Sequence, residues 1–350
     1  MPFTVTVQPS GRTFSVDRDE PILTAAIRQG VGLPYGCKDG ACGSCKSRML
    51  EGRVIHGVHQ SKALSPEEEA AGWILTCQAA PQSDVVVEAR TVPGAGEFAI
   101  RKMPSRVTSI SKPAPDVAIL QMQLPANDRL QYQAGQYVEF ILRDGSRRSY
   151  SMANAPHTQV DKPGIELHLR HLPGGKFTDH VFTAMKEKDI LRMEGPFGSF
   201  FLREDSDKPM ILLASGTGFA PIKAIIEHLQ FRHSKDKTQT RHAVLYWGCR
   251  SKADLYLHDW ALEAAKSLPN LTYIPVLSEP KAEDAWTGRT GLVHQAVMHD
   301  HPNLMNHQVY ACGAPIMVES AQKDFVAKCG LPDDEFYADS FTSEADKHGA

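Results

Sequence analysis

Nothing in this chain of 350 residues reads as a membrane span, since no run of about 18 apolar residues occurs. Neither charge sign dominates: 38 Lys and Arg against 41 Asp and Glu leave a formal net charge of −3. That balance argues against nucleic acid or an anionic membrane as the main partner. The opening Met1-Pro2-Phe3-Thr4-Val5-Thr6-Val7 lacks the basic and apolar regions of a secretory signal and reads as a strand. No repeat of 20–50 residues is present. A disulfide framework is also absent from the pattern, because the seven cysteines are odd in number and unevenly placed. Thiols clustered in a reducing cytoplasm more often hold metal or do chemistry.

What is present is ordinary for globular protein, with 42% hydrophobic and 23% charged residues. The length fits two or three domains. Residues 3–7 and 12–16 alternate apolar and polar side chains around the turn Pro9-Ser10-Gly11, which predicts a hairpin. Ile22 to Gly30 has helical spacing and a glycine stop. A strand is expected near Ser47–Leu50, a helix start at Ser65-Pro66-Glu67-Glu68-Glu69, and a Val-rich strand at Asp84–Ala89. The three acids could dock a basic partner, but a solvated helix start is the better reading. Residues 92–104 have little periodicity and read as a linker.

From about 105 to 202 short alternating runs (Val117–Leu124, Tyr137–Leu142, Ile165–Leu169) predict a small antiparallel barrel. From 209 continuous apolar runs at Met210–Ala214, His242–Trp247, Leu271–Val276 and Gln308–Ala311 alternate with helical stretches. That pattern predicts an α/β unit with a parallel sheet.

Cys37, Cys42 and Cys45 stand as C-x4-C-x2-C, and Cys77 follows after Trp73-Ile74-Leu75-Thr76. This is the plant-type [2Fe–2S] spacing. Four thiolates must converge on two irons, and Gly36, Gly40 and Gly43 permit tight turns and let backbone N–H groups reach the sulfurs. A structural zinc site is the alternative, but zinc sites pair C-x2-C knuckles and this loop carries one. Residues 1–91 resemble a plant-type ferredoxin with a β-grasp fold.

Arg148-Ser149-Tyr150-Ser151-Met152-Ala153-Asn154 reads R-x-Y-S-x-x-N. An arginine can pair bidentately with a phosphate, a tyrosine offers a flat face, and a serine can hydrogen-bond at the edge of a ring. The motif resembles the flavin site of the ferredoxin–NADP reductase superfamily, which implies flavin contacts for Arg148, Tyr150, Ser151 and Asn154. Leu167-His168-Leu169-Arg170 resembles the family's ribityl and adenosine strand, implicating His168 and Arg170. The helix opened by Gly174-Gly175-Lys176-Phe177-Thr178 can hold phosphates on free N–H groups. The resemblance puts the flavin's phosphates at Gly175, Lys176 and Thr178, and the extra anchor points to FAD rather than FMN.

Ala214-Ser215-Gly216-Thr217-Gly218-Phe219-Ala220-Pro221 ends an apolar strand and opens a helix. Glycines let backbone approach a pyrophosphate at the helix N-terminus. G-T-G-x-A-P resembles the superfamily's NAD(P) loop and implicates Gly216, Thr217, Gly218 and Pro221. In the family a Cys-Gly pair such as Cys312-Gly313 borders the nicotinamide. Cys249 and Cys329 read as small buried thiols. Arg250 could grip a 2′-phosphate, whereas Asp254 could accept from a free ribose hydroxyl and would repel that phosphate. NADH is therefore expected, with NADPH the alternative. Related reductases place an aromatic residue from the chain's end on the flavin ring, and Phe341 is the candidate, with Tyr337 in reserve. Ser151, Cys312 and Phe341 are the expected catalytic positions.

The order of parts resembles the [2Fe–2S]-containing flavin reductase components of the superfamily. It implies a multidomain fold: a β-grasp ferredoxin domain at 1–91, a linker at 92–104, an antiparallel FAD-binding β-barrel at 105–207 and an α/β parallel-sheet NAD(P)-binding domain at 208–345. Within the family the likeness is strongest to the reductases of CDP-6-deoxyhexulose dehydratase. It is carried by Arg147-Arg148-Ser149-Tyr150-Ser151, Asn154-Ala155-Pro156, Thr217-Gly218-Phe219-Ala220-Pro221, Trp286-Thr287-Gly288, Val293–Val297 and Tyr310-Ala311-Cys312-Gly313. The function so implied is a cytoplasmic, NADH-dependent oxidoreductase that passes electrons to FAD, then to the cluster, then to an acceptor protein. That acceptor is a dehydratase or an oxygenase component, and the chain is expected to be monomeric on its own. The alternatives are the reductase of an aromatic-ring oxygenase or hydroxylase, and a redox-sensing iron–sulfur adaptor without turnover.

Overall fold

The computed structural model describes residues 2–160, 163–238 and 241–343. Residues 344 and 345, which the NAD(P)-domain reading included, lie outside the described residues. Two compact units divide the chain: residues up to 99 with 198–200 and 339–343, and residues 100–197 with 201–338.

In the first unit, strands β1 (Phe3–Gln8) and β2 (Arg12–Val16) form the expected antiparallel hairpin. Helix α1 (Ile22–Arg28) buries Ile22, Leu23, Ala25 and Ala26. Then follow β3 (Lys46–Glu51), β4 (Val54–His56), α2 (Pro66–Ala70), β5 (Trp73–Leu75), β6 (Ala79–Pro81) and β7 (Val85–Glu88). The main sheet runs β2-β1-β7-β3-β5, with β1 and β7 parallel, and β4 and β6 make a separate ribbon. This is the β-grasp arrangement. Helix α2 starts on a full capping box: Ser65 accepts from the Glu68 N–H, and the Glu68 carboxylate accepts from the Ser65 N–H.

The second unit begins with six antiparallel strands, β8 (Arg101–Ala114), β9 (Val117–Gln123), β10 (Tyr137–Ile141), β11 (Arg147–Ser151), β12 (Gly164–Arg170) and β13 (Ile190–Phe197). Their order is β11-β10-β13-β8-β9-β12, and one antiparallel bridge, Met152 to Leu167, closes the ring. Between β12 and β13, helix α3 (Lys176–Thr183) turns Phe177 and Val181 into the barrel core with Leu120, Phe140 and Leu167. Residues 101–104, read from sequence as linker, are the start of β8. Met103 is buried there and pairs with Met193, and the inward Ser105 hides the apolar alternation.

The same unit continues with β14 (Met210–Ser215), α4 (Phe219–Lys235), β15 (Ala243–Cys249), α5 (His258–Ser267), β16 (Leu271–Leu277) and β17 (Arg289–Thr290). The chain then runs through α6 (Val293–Asp300), β18 (Gln308–Gly313), α7 (Pro315–Cys329) and β19 (Phe336–Ser340). The sheet order is β17-β16-β15-β14-β18-β19, and β14 pairs in parallel with both β15 and β18. Chain direction across the sheet therefore reverses at β14, and the crevice between the ends of β14 and β18 is where such sheets bind ligands. Among the described residues no helix is long and apolar enough to cross a membrane.

Candidate functional site

The four clustered sulfurs lie in the first unit as two contacting pairs. Cys37 hydrogen-bonds Cys42, and Cys77 hydrogen-bonds Cys45. No cysteine is in a disulfide. The loop curls through left-handed backbone at Lys38 and Gly40; a Cβ on Gly40 would stand 2.8 Å from the Val58 carbonyl oxygen. The Cys37 N–H donates to Cys42 Sγ at 3.4 Å, with Ser44 Oγ also 3.4 Å from that sulfur. The Cys37 side chain above all, then Ser44 and the backbone N–H groups, hold the Cys42 thiol down at about 6 against the opposing effect of burial, while Cys37 and Cys77 are pushed up by their sulfur partners and by burial. Four sulfurs this close can all ionise only with cations between them. The sulfurs stand as two twos, Cys37 with Cys42 and Cys45 with Cys77. Two irons fit that arrangement.

In the second unit the glycine turn and the Cys-Gly pair meet backbone to backbone. A Cβ on Gly218 would lie 2.2 Å from the Cys312 carbonyl oxygen and 2.6 Å from the Gly313 Cα. Ser215 Oγ accepts the Ala314 N–H at 3.0 Å, and Trp247 Nε1–H donates to the Gly216 oxygen at 2.9 Å. Thr217, Pro221, Cys312 and Gly313 are buried, and Gly216 is half-buried. Phe219 stacks on Trp247, 3.9 Å between centroids and 12° between planes, which fixes the start of α4. Arg170, read from sequence with the flavin strand, turns here: its Nη1 is 3.2 Å from where a Gly216 Cβ would stand. Asp116 at 3.0 Å and Asp254 at 4.0 Å flank its guanidinium. Asp254 also accepts from the Ser251 N–H and Oγ–H at 2.9 and 3.0 Å, capping its own turn, while Arg250 is exposed.

On the barrel, Ser151 is buried, and Arg148 and Tyr150 are half-buried on β11. The Tyr150 ring lies 5.3 Å from that of Phe177, and burial pushes its phenol up. Four other motif residues are committed within the fold. Asn154 donates to Thr158 Oγ1 and the Gly164 oxygen and accepts from the Glu166 N–H. The Thr178 hydroxyl staples the Leu172–Gly175 turn, and Gly175 must stay bare because a Cβ would lie 2.6 Å from Thr178 Oγ1. Lys176 extends to Asp144 at 2.6 Å.

His168 is fully buried. Burial lowers its pKa despite the pull of Glu166, and its Nε2 and Nδ1 lie 2.8 Å from the Glu166 carboxylate and the Tyr256 hydroxyl. Tyr337 is buried and stacked on Tyr310 at 4.8 Å; Phe341 is half-buried beyond β19. Cys249 donates to the Asp254 oxygen, and burial pushes its thiol up to about 12.

Sequence reasoning passed over Glu166, Lys223 and Glu227, which join His168 in one buried network. The available signal was a lysine inside the apolar run Phe219-Ala220-Pro221-Ile222-Lys223-Ala224-Ile225-Ile226, since such a charge stays buried only with partners.

A sulfur-rich β-grasp unit, an antiparallel barrel and a parallel sheet with a glycine turn at its switch point are together the parts of a flavin iron–sulfur reductase. Family models agree: the 2Fe-2S iron-sulfur cluster binding domain matches residues 5–82, the oxidoreductase FAD-binding domain 104–202 and the oxidoreductase NAD-binding domain 212–323. The chain belongs to the [2Fe–2S]-containing flavin reductases of the ferredoxin–NADP reductase superfamily. It is 40% identical to the CDP-6-deoxy-L-threo-D-glycero-4-hexulose-3-dehydrase reductase of Yersinia pseudotuberculosis over 97% of this chain and 99% of that one. The phenol hydroxylase P5 protein of Acinetobacter pittii is 36% identical over 99% and 96%. Among solved structures, an Amycolatopsis cytochrome P450 reductase is 33% identical with TM-score 0.78, covering 97% and 99%. The protein is thus an oxidoreductase that binds a [2Fe–2S] cluster, FAD and a nicotinamide dinucleotide and delivers electrons as a reductase component.

Proposed function

We propose that the chain is the reductase of a CDP-6-deoxyhexulose dehydratase, carrying electrons from NADH to that partner. The observation behind the choice of partner is the 40% identity along nearly the whole of both chains to the Yersinia dehydrase reductase, against 35% for the Comamonas terephthalate dioxygenase reductase component 1. When bound, the nicotinamide supplies hydride, the flavin takes two electrons and releases them singly, and the cluster relays one at a time.

Cys37 and Cys42 hold one iron and Cys45 and Cys77 the other, following the two sulfur pairs. Arg148, Tyr150 and Ser151 hold the flavin, and Gly175 and Lys176 bring the start of α3 to its phosphates. Asn154, Thr178 and His168 shape that site through the fold. Gly216, Thr217, Gly218, Pro221, Cys312 and Gly313 frame the dinucleotide, with Arg170 over its phosphates. Asp254, anchored beside Arg170, keeps a negative charge where a 2′-phosphate would add another, which supports NADH over NADPH and leaves Arg250 a minor part. We take domain limits of 1–91, 101–207 and 208–345, a cytoplasmic location and a chain monomeric on its own as parts of the same reading.

The test is anaerobic titration of the purified holoprotein with NADH and with NADPH, followed by addition of the dehydratase or an oxygenase component. Bleaching of flavin and cluster bands at much lower NADH than NADPH, and electron delivery to the dehydratase alone, is the expected result. Delivery to the oxygenase component instead would reassign the partner. A cluster that stays oxidised while the flavin bleaches would remove the electron path itself.

A further inference from the structure

Lys223 sits five positions after Gly218 in α4, with 6% of its side chain exposed. Its ammonium donates to the Ala153 oxygen at 3.1 Å and pairs with Glu166 at 3.1 Å and Glu227 at 2.5 Å. It also lies 5.1 Å over the Trp260 ring. Glu227, one turn further along the same helix face, accepts the Ala155 N–H at 2.8 Å. Glu166 is held in turn by His168 and by Gln121, whose amide donates at 2.6 Å.

Helix α4 therefore grips both sides of one short segment, the carbonyl of residue 153 and the amide of residue 155. That segment begins two positions after Ser151, where the R-x-Y-S strand ends. The helix itself begins where the glycine turn ends. One lysine and two carboxylates are an expensive way to bury a helix face, since apolar side chains of equal volume hold such contacts as well or better. What charge adds is direction: three hydrogen bonds fix the helix in one register on the barrel, where apolar packing would let it slide.

We propose that Lys223, acting with Glu227, is a positioning residue that sets the distance between the nicotinamide held by the Gly216–Gly218 turn and the flavin held by β11. This rests on the flavin and dinucleotide assignments proposed above. Hydride transfer needs reacting atoms about 3–3.5 Å apart, and a misplacement of about 1 Å from a remote change lowers rate on the order of 100-fold. Lys223 touches neither cofactor in this account; it works through backbone.

The experiment uses holoprotein carrying Lys223→Met, and Lys223→Met with Glu227→Met so that no carboxylate of α4 is left unpaired. Stopped-flow reduction by NADH, photochemical reduction of flavin and cluster, NAD+ affinity, flavin content and hydrogen exchange across residues 152–160 are measured together. The expected result is a 10- to 100-fold slower NADH step, with photoreduction and flavin content unchanged and NAD+ affinity within about 3-fold. Exchange should quicken at the Ala155 amide, and Lys223→Arg should recover most of the rate. A double variant that keeps the wild-type NADH rate overturns the proposal. So does loss of flavin or of cooperative unfolding in both variants, which would make the network a support of the fold alone. If wild-type protein is not reduced by NADH or NADPH, the functional reading fails, while hydrogen exchange still reports separately on the grip at 153–155.

Discussion

An alanine methyl at position 218 has nowhere to go, because the Cys312 carbonyl oxygen lies 2.2 Å from its place. Gly218→Ala must push the glycine turn away from the end of β18 and is expected to destabilise the second unit by about 1–3 kcal/mol, the usual result of overpacking. The same shift opens the crevice, so NADH should be needed at 10-fold or greater excess in a titration that wild-type protein completes near stoichiometry.

Glu166 makes a second prediction at this scale. Burial alone would raise its pKa from 4.5, but the His168 hydrogen bond and the Lys223 charge outweigh it and hold the group near about 2. A carboxylate depressed on folding stabilises fully above 4.5 and loses that contribution as pH falls towards about 2. The shift corresponds to on the order of 3 kcal/mol. Glu166→Gln should therefore be less stable than wild type in urea at neutral pH, with the gap closing as pH drops through that window.

The gathering of Cys37, Cys42 and Cys45 was legible because their spacing is local. The hydrogen bonds of Asn154 and Asp254 were not, since their partners on β12 and at Ser251 depend on how the backbone turns. Lys223 itself stood out in its apolar run, but its partners Ala153 and Glu166 did not, because they come from a segment distant in the chain.

Among the elements, α2 shows how little may hold a helix. Five residues long and with no buried residue, it depends on the Ser65–Glu68 capping box and on the Lys46 to Glu68 ion pair at 2.7 Å. Ser65→Ala should cost about 1 kcal/mol. The readout is the thermal loss of the cluster's visible bands, which should come a few degrees earlier while flavin release is unmoved. Periodicity found many elements, but β4, β6 and β13 were not among them and β8 was cut short at its start. There Met103, Ser105 and Val107 point inward in turn. A serine at the middle position breaks the apolar count without breaking the strand, so the segment looked like linker. The parallel strands were plain because β14 is buried along Met210–Ala214, as strands covered on both faces must be.

For the whole molecule, the separation of tasks predicts how it fails. On the proposed assignment, Cys45→Ser should remove one cluster ligand and leave the second unit intact. NADH should still bleach the flavin of that variant at the wild-type rate, whereas the cluster bands and electron delivery to the acceptor protein should be lost. Loss of flavin reduction as well would mean that the two tasks are not separable. The domain order was legible as three blocks of different periodicity. The joining of barrel and parallel sheet into one unit was not, because it rests on buried polar contacts such as His168 with Tyr256 that leave no periodic trace.

The contact between Ser215 and Ala314 joins positions 99 residues apart. At translation speeds of about 5–20 residues per second, the second half of that contact leaves the ribosome on the order of 5–20 s after the first. The sulfur ligands and the barrel strands have all emerged by then. On each nascent chain the four clustered cysteines are thus available before the crevice, which is complete only once β18 pairs beside β14.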